Sequence, residues 1–119
     1  GTTALLLASQ HGRRDIIRVL VDGGAFIDLQ DSAGNSALMI ASAKGNAGVV
    51  ELLLNSEAAV DLTNNSGWTP LMLASQQGYS GVVQALVRKG AHINHQSPTG
   101  TAALQVASQH GRRDTVRAL

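Results

Sequence analysis

Four histidines, a serine that returns at regular intervals and two arginine clusters are the residues of this chain that could do chemistry. His92 and His95 could meet across a turn, but no Cys or acidic residue neighbours them, so they read as ordinary surface loop histidines. His11 and His110 lie in identical segments, Ser9 to Asp15 and Ser108 to Asp114. The chain contains no Cys, which excludes disulfides, zinc-thiolate sites and cysteine nucleophiles. Ser9, Ser42, Ser75 and Ser108 are poor nucleophile candidates, because a nucleophile needs a base in reach and a third group to orient that base. A serine of this kind inside a helix packs as a small residue or bonds a local carbonyl. The eight Asp+Glu are too sparse to supply the paired carboxylates of acid–base catalysis. Lys44-Gly45 has the wrong order and context for a phosphate loop, and no Rossmann fingerprint occurs. The expectation is no enzyme, no metal and no cofactor.

The arginines raise the question of nucleic acid. Arg13, Arg14 and Arg18 are interrupted by Asp15, and Arg112, Arg113 and Arg117 by Asp114. Phosphate binding needs a continuous basic stripe, so solvated helix faces account for both clusters. The 119 residues carry a net charge of only +1, which dictates neither a nucleic-acid nor a membrane partner. Apolar residues make up 44% of the chain, too many for a disordered one. Aromatics are 3%, so Leu, Val, Ile and Ala must fill the core. Apolar runs such as Ala4 to Ala8 fall far short of the roughly 18 residues of a membrane span, and there is no signal-peptide profile.

What must position these residues is an internal repeat. Gly1, Gly34, Gly67 and Gly100 are 33 residues apart, as are Gly12, Gly45, Gly78 and Gly111. Leu5, Leu38, Leu71 and Leu104 share a phase, and so do Ala8, Ala41, Ala74 and Ala107. The four serines follow those alanines, and Leu20, Leu53, Leu86 and Leu119 close the pattern. A period of this size means stacked supersecondary units, since one unit cannot bury its apolar face alone. The chain is therefore expected to be a solenoid. Helices in such a stack lie about 8–10 Å apart. His11 and His110 would then be roughly 25–30 Å apart, and cannot share an ion whose His ligands lie about 2 Å from it.

Local signals describe two short helices and a turn in each unit. Thr69 can cap a first helix with Pro70 at its first position. Pro70 to Ser75 is apolar on nearly all sides, as an inner helix should be. Gly78 ends that helix, free to take a positive φ. Val82, Val83, Leu86 and Val87 form one stripe of a second helix, which Gly90 stops. His92 to Gly100 carries strand-like and turn residues and should project as a β-hairpin-like loop.

In Gly67-Trp68-Thr69-Pro70-Leu71-Met72-Leu73-Ala74-Ser75 and Gly90-Ala91-His92-Ile93-Asn94 the chain resembles the ankyrin repeat, and the likeness extends over its whole length. The resemblance implies an all-α solenoid of helix-turn-helix units joined by β-hairpin-like loops. Residues 1–119 form one domain with repeats at 1–30, 31–63, 64–96 and 97–119, the first and last incomplete. It also implies a protein-interaction module in an intracellular setting. Departures from the family pattern inform as well. The family's histidine is replaced by Leu6, Met39, Met72 and Gln105, and its proline survives only as Pro70. Met39 and Met72 are expected to fill the seam between repeats. Gly48 and Gly81 stand in the first turn of second helices, at up to ~1 kcal/mol each, where the outer repeats have Asp15 and Asp114. Glu57 holds the helix-stopping place of Gly24 and Gly90. A residue with a side chain at positive φ costs roughly 1–2 kcal/mol, so either this turn differs or repeat 2 is strained there. Repeat 2 is the expected weak point.

Solenoids need polar terminal repeats, yet Ala4-Leu5-Leu6-Leu7 offers none, so the chain reads as a segment of a longer array. The identity of Ser9–Asp15 with Ser108–Asp114 suits a duplicated three-repeat block, and equally two repeats that stayed alike. Stacking produces an extended concave surface while the core is used between repeats. By the resemblance, partners contact the tips and the exposed face of the first helices. The tips read Ser32-Ala33, Asn65-Ser66 and Pro98-Thr99, and after each tip glycine come Asn35, Trp68 and Thr101. The ends of the first helices offer Ala43-Lys44, Gln76-Gln77 and Gln109-His110. Trp68 fits an interface anchor or a packing lid. Tyr79, in place of a family histidine, fits a structural or a contacting role. Formal charge is 0 over 1–30, −3 over 31–63, +2 over 64–96 and +2 over 97–119, a field that could orient a polypeptide partner held across repeats 2 to 4. The alternative is architectural, with the uncapped end repeats associating end to end as spacers.

Overall fold

A computed structural model of the chain describes residues 3–98 together with 102, 103, 105, 108, 116 and 119. Among these residues six helices form and no strand does. They fall into three pairs: α1 (Ala4–Gln10) with α2 (Arg14–Asp22), α3 (Ala37–Lys44) with α4 (Ala47–Asn55), and α5 (Pro70–Gln77) with α6 (Ser80–Arg88). The fourth-register positions Gly100, Leu104, Ala107 and Gly111, like Gly1 and Thr2, lie outside the described residues.

The first helix of every pair starts the same way. Thr3, Ser36 and Thr69 are extended, and each hydroxyl accepts the amide of the residue three positions on, Leu6 at 3.2 Å and Met39 and Met72 at 3.3 Å. Each such cap satisfies an amide that the helix cannot, and Pro70 stands at a position where no amide is needed. Gly45 and Gly78 then close α3 and α5 in the left-handed conformation, at φ 71° and 76°. Second helices are less uniform. Asn46 caps α4 through its side chain, whereas Arg13 and Tyr79 give α2 and α6 no such bond. Glu57 takes φ 67° and is the only residue with a side chain at positive φ among those described. The turn therefore keeps the left-handed form of Gly24 and Gly90, a conformation that costs a residue with a side chain roughly 1–2 kcal/mol.

Packing follows the 33-residue register. Helix α3 lies between α1 and α5, and α4 between α2 and α6. Leu5, Leu38 and Leu71 are buried, as are Leu53 and Leu86, with Leu20 half-buried against the same core. Met39 and Met72 are buried too, as a seam position requires. The recurring serine shows both expected behaviours. Ser9 Oγ donates to the Leu5 carbonyl at 2.9 Å, while Ser42 and Ser75 are buried with Oγ unbonded and act only as small residues.

Candidate protein-binding surface

The tips between repeats are organised by one polar side chain each. Asp31 Oδ1 accepts the amides of Ala33 and Asn35 at 2.9 and 2.8 Å, and Asn64 Oδ1 accepts those of Ser66 and Trp68 at 3.0 and 3.1 Å. Backbone bonds from Asp31 N to the Asn35 carbonyl and from Asn64 N to the Trp68 carbonyl close each loop, hairpin-like but without a strand. Successive tips then lock together. The Asn65 amide donates to the Ala33 carbonyl at 3.0 Å and its Nδ2 to the Ser32 carbonyl at 2.8 Å. Gln30 Nε2 spans the same seam, donating to the Gly34 and Thr63 carbonyls at 2.7 and 2.8 Å. A Cβ on Gly34 would sit 2.6 Å from Asn65 Oδ1, and one on Gly67 would run into the Pro98 ring. Glycine at the tip is thus required by φ and by the approach of the next tip together.

Between the tips and the first helices runs a groove of about 420 Å³. Ile40 and Leu73 supply its apolar lining over the buried Met39; Asp31, Asn35 and Asn64 form its tip wall, and Gln10, Ala43 and Lys44 its helix wall. Leu7, Ile40 and Leu73 are one period apart, so the half-exposed aliphatic strip extends along the stack. Lys44 is exposed and makes no ion pair among the described residues.

Of the residues expected at a binding surface, the structure places Asn35, Ala43 and Lys44 on this groove. Ser32, Ala33, Asn65, Ser66 and Pro98 are exposed at the tips, Gln77 is exposed and Gln76 half-buried on α5. Trp68 is half-buried and packs against the core. The Tyr79 ring lies over Gly45, whose Cβ would meet it at 2.8 Å, yet the residue stays 36% exposed. Thr99, Thr101, Gln109 and His110 lie outside the described residues. Leu7, Ile40 and Leu73 recur at the same period as the core leucines, so the sequence alone does not distinguish this strip from the core.

One expectation needs correction. His92 does have an acidic neighbour: its Nδ1 lies 3.8 Å from Asp61 Oδ2, and its amide donates to Asp61 Oδ1 at 2.9 Å. The pair arises because Asp61 reaches into the next repeat, as Asp28 does when it accepts the Ala59 amide at 2.8 Å. Thirty-one residues separate His92 from Asp61, so linear neighbourhood concealed the contact. Among the described residues no three His, Cys, Asp or Glu side chains converge as a metal site, and no helix is long and apolar enough to cross a membrane.

The first repeat exposes several large apolar side chains. Ile16 is 46% exposed where Val49 and Val82, one and two periods on, are sealed at 0% and 2%. Val19, Phe26 and Leu29 are exposed as well.

A comparison with curated proteins finds no match. A family model described as ankyrin repeats in three copies matches residues 1–64 and again residues 39–119. The two matches together span the length of the chain. The chain belongs to the ankyrin-repeat family.

Proposed function

We propose that this module binds an extended polypeptide along the groove between tips and first helices, across repeats 2 to 4. Ankyrin repeats are in general protein-interaction modules. For repeats 2 and 3 the observation that supports this reading is the 420 Å³ groove itself, with aliphatic lining and an unpaired Lys44 on its wall; its extension into repeat 4 rests on the 33-residue register alone. Much of the polar backbone at the tips is bonded within each loop or to the next one, which leaves the outward side chains to select the partner. Ser32, Ala33, Asn35, Ala43, Lys44, Asn65, Ser66, Trp68, Gln76, Gln77, Tyr79 and Pro98, with Thr99, Thr101, Gln109 and His110 beyond them, form that variable row. No enzymatic role and no nucleic-acid partner belong to this reading, and an intracellular setting suits a chain without Cys.

Peptides selected on the chain from a displayed random library provide the test. Their affinity should fall by tenfold or more, about 1.4 kcal/mol, in Ile40→Arg and in Trp68→Ala, while helical signal and cooperative melting persist. Peptides that bind all variants equally well overturn the reading. Trp68→Ala alone decides whether the indole is an anchor, since a packing lid would change melting and leave affinity intact.

The architectural reading has one observation in its favour, the exposed Ile16, Val19, Phe26 and Leu29. A face of this kind drives association. Light scattering over a concentration series should then show growth that Val19→Lys with Phe26→Lys abolishes; a strict monomer at every concentration removes it.

A further inference from the structure

The outer helices hold a second groove, built from residues that the tip groove does not use. It lies in the seam between α4 and α6 and encloses about 330 Å³. Leu54 and Ala85 make its floor, with Glu51 and Asn55 on the α4 rim and Arg88 and Lys89 on the α6 rim. On each helix the lining positions are spaced i, i+3, i+4 and so share one face.

The same register position differs in size between repeats. One period before Ala85 stands Leu52, half-buried and packed against the core. Ala85 lacks that bulk, and the groove opens beside it.

Its rims are charged and unspent. Glu51, Arg88 and Lys89 make no ion pair among the described residues, and Arg88 Nε reaches only the Gln84 carbonyl of its own helix, at 3.4 Å. Two cations facing one carboxylate leave the mouth net positive. A carboxylate brought there gains from both, and the Arg side can take it in bidentate fashion.

We propose that this groove binds an acidic peptide segment presenting a leucine-sized aliphatic side chain between carboxylates. The aliphatic group sits on Leu54 and Ala85, and the carboxylates face Arg88 and Lys89. The site is independent of the tip groove and stands or falls separately from it.

The whole chain, isotope-labelled, is titrated with a capped synthetic peptide of leucines flanked by aspartates and followed by NMR. Saturable shifts are expected at the amides of Leu54, Ala85, Arg88 and Lys89. Ala85→Leu fills the groove from within and should weaken binding by about tenfold or more while the melting temperature holds or rises. Arg88→Glu combined with Lys89→Glu should weaken it as much, and Glu51→Gln should tighten it several-fold by removing the opposing charge. A peptide with alanine for leucine should bind less well. If Ala85→Leu does not fold, the charge variants, all on exposed side chains, decide alone. Absence of saturable shifts, shifts confined to the groove of Ile40 and Leu73, or binding indifferent to Ala85→Leu in a folded chain overturns the proposal.

Discussion

After α4 the chain turns through Glu57 at φ 67°, and after α6 through Gly90 at φ 90°. Both turns then do the same work. The Ala58 amide donates to the Leu53 carbonyl at 3.0 Å and the Ala91 amide to the Leu86 carbonyl at 3.1 Å, with both alanines buried. Repeat 3 uses a residue that prefers this geometry, and repeat 2 one that resists it. The bond and the burial that follow therefore fix the turn, and local preference yields to them. Repeat 2 carries a partial offset at its other end, where Asn46 caps α4 and Tyr79 leaves α6 without a side-chain cap. Such a cap is worth about 1 kcal/mol, against a strain of about 1–2 kcal/mol at Glu57.

The hardest test of that equivalence is in the core. Leu53 and Leu86 are both fully buried, and Leu→Ala at such sites costs about 2–5 kcal/mol. Losses of similar size are expected from Leu53→Ala and Leu86→Ala, read by urea unfolding at unchanged m-value. A much smaller loss at Leu53 would mean that the turn after α4 is already loose and that the two repeats share only a backbone outline.

A direct exchange of the turn residues comes next in size. Glu57→Gly should stabilise the chain by roughly 1 kcal/mol, the relief of strain less the added freedom of the unfolded glycine. Gly90→Glu should destabilise it by about 1–2 kcal/mol. Amide exchange at Ala58 and Ala91 reports the same change locally. If Glu57→Gly destabilises instead, the Glu57 side chain supports the turn in a way that its exposure does not suggest.

Much of this architecture was legible in the residues. The 33-residue register, the cap at Thr69, the left-handed Gly78 and the anomaly at Glu57 are one-dimensional signals, because caps and turns depend on neighbours a few positions away. What escaped depends on pairing across a full period. Asp61 meets His92, and Asn65 meets Ala33, only once the stack exists. Ile16 differs little from Val49 and Val82 in type, yet its exposure is set by what covers it. The change from Leu52 to Ala85 is visible in the chain, whereas the fact that nothing refills the volume belongs to packing. The aliphatic strip through Ile40 and Leu73 is hidden for the same reason, since residue type alone does not separate a sealed side chain from a half-exposed one.

The smallest expected effect separates the recurring serines. Ser9 and Ser75 occupy the same register position and both are fully buried, but only Ser9 bonds a carbonyl, that of Leu5. An intramolecular hydrogen bond of this kind contributes about 0.5–1.5 kcal/mol net, so Ser9→Ala should lose an amount in that range. Ser75→Ala removes a hydroxyl that has given up water for nothing, and leaves no unpaired partner behind. It should cost nothing and raise the unfolding midpoint slightly, as should Ser42→Ala. Equal losses at Ser9 and Ser75 would mean that the Ser75 hydroxyl finds a carbonyl in solution and that the inner repeats are as well satisfied as the first. A gain at Ser75 beside a loss at Ser9 would show that one residue type, held through the whole array, is kept for its size in one repeat and for its bond in another.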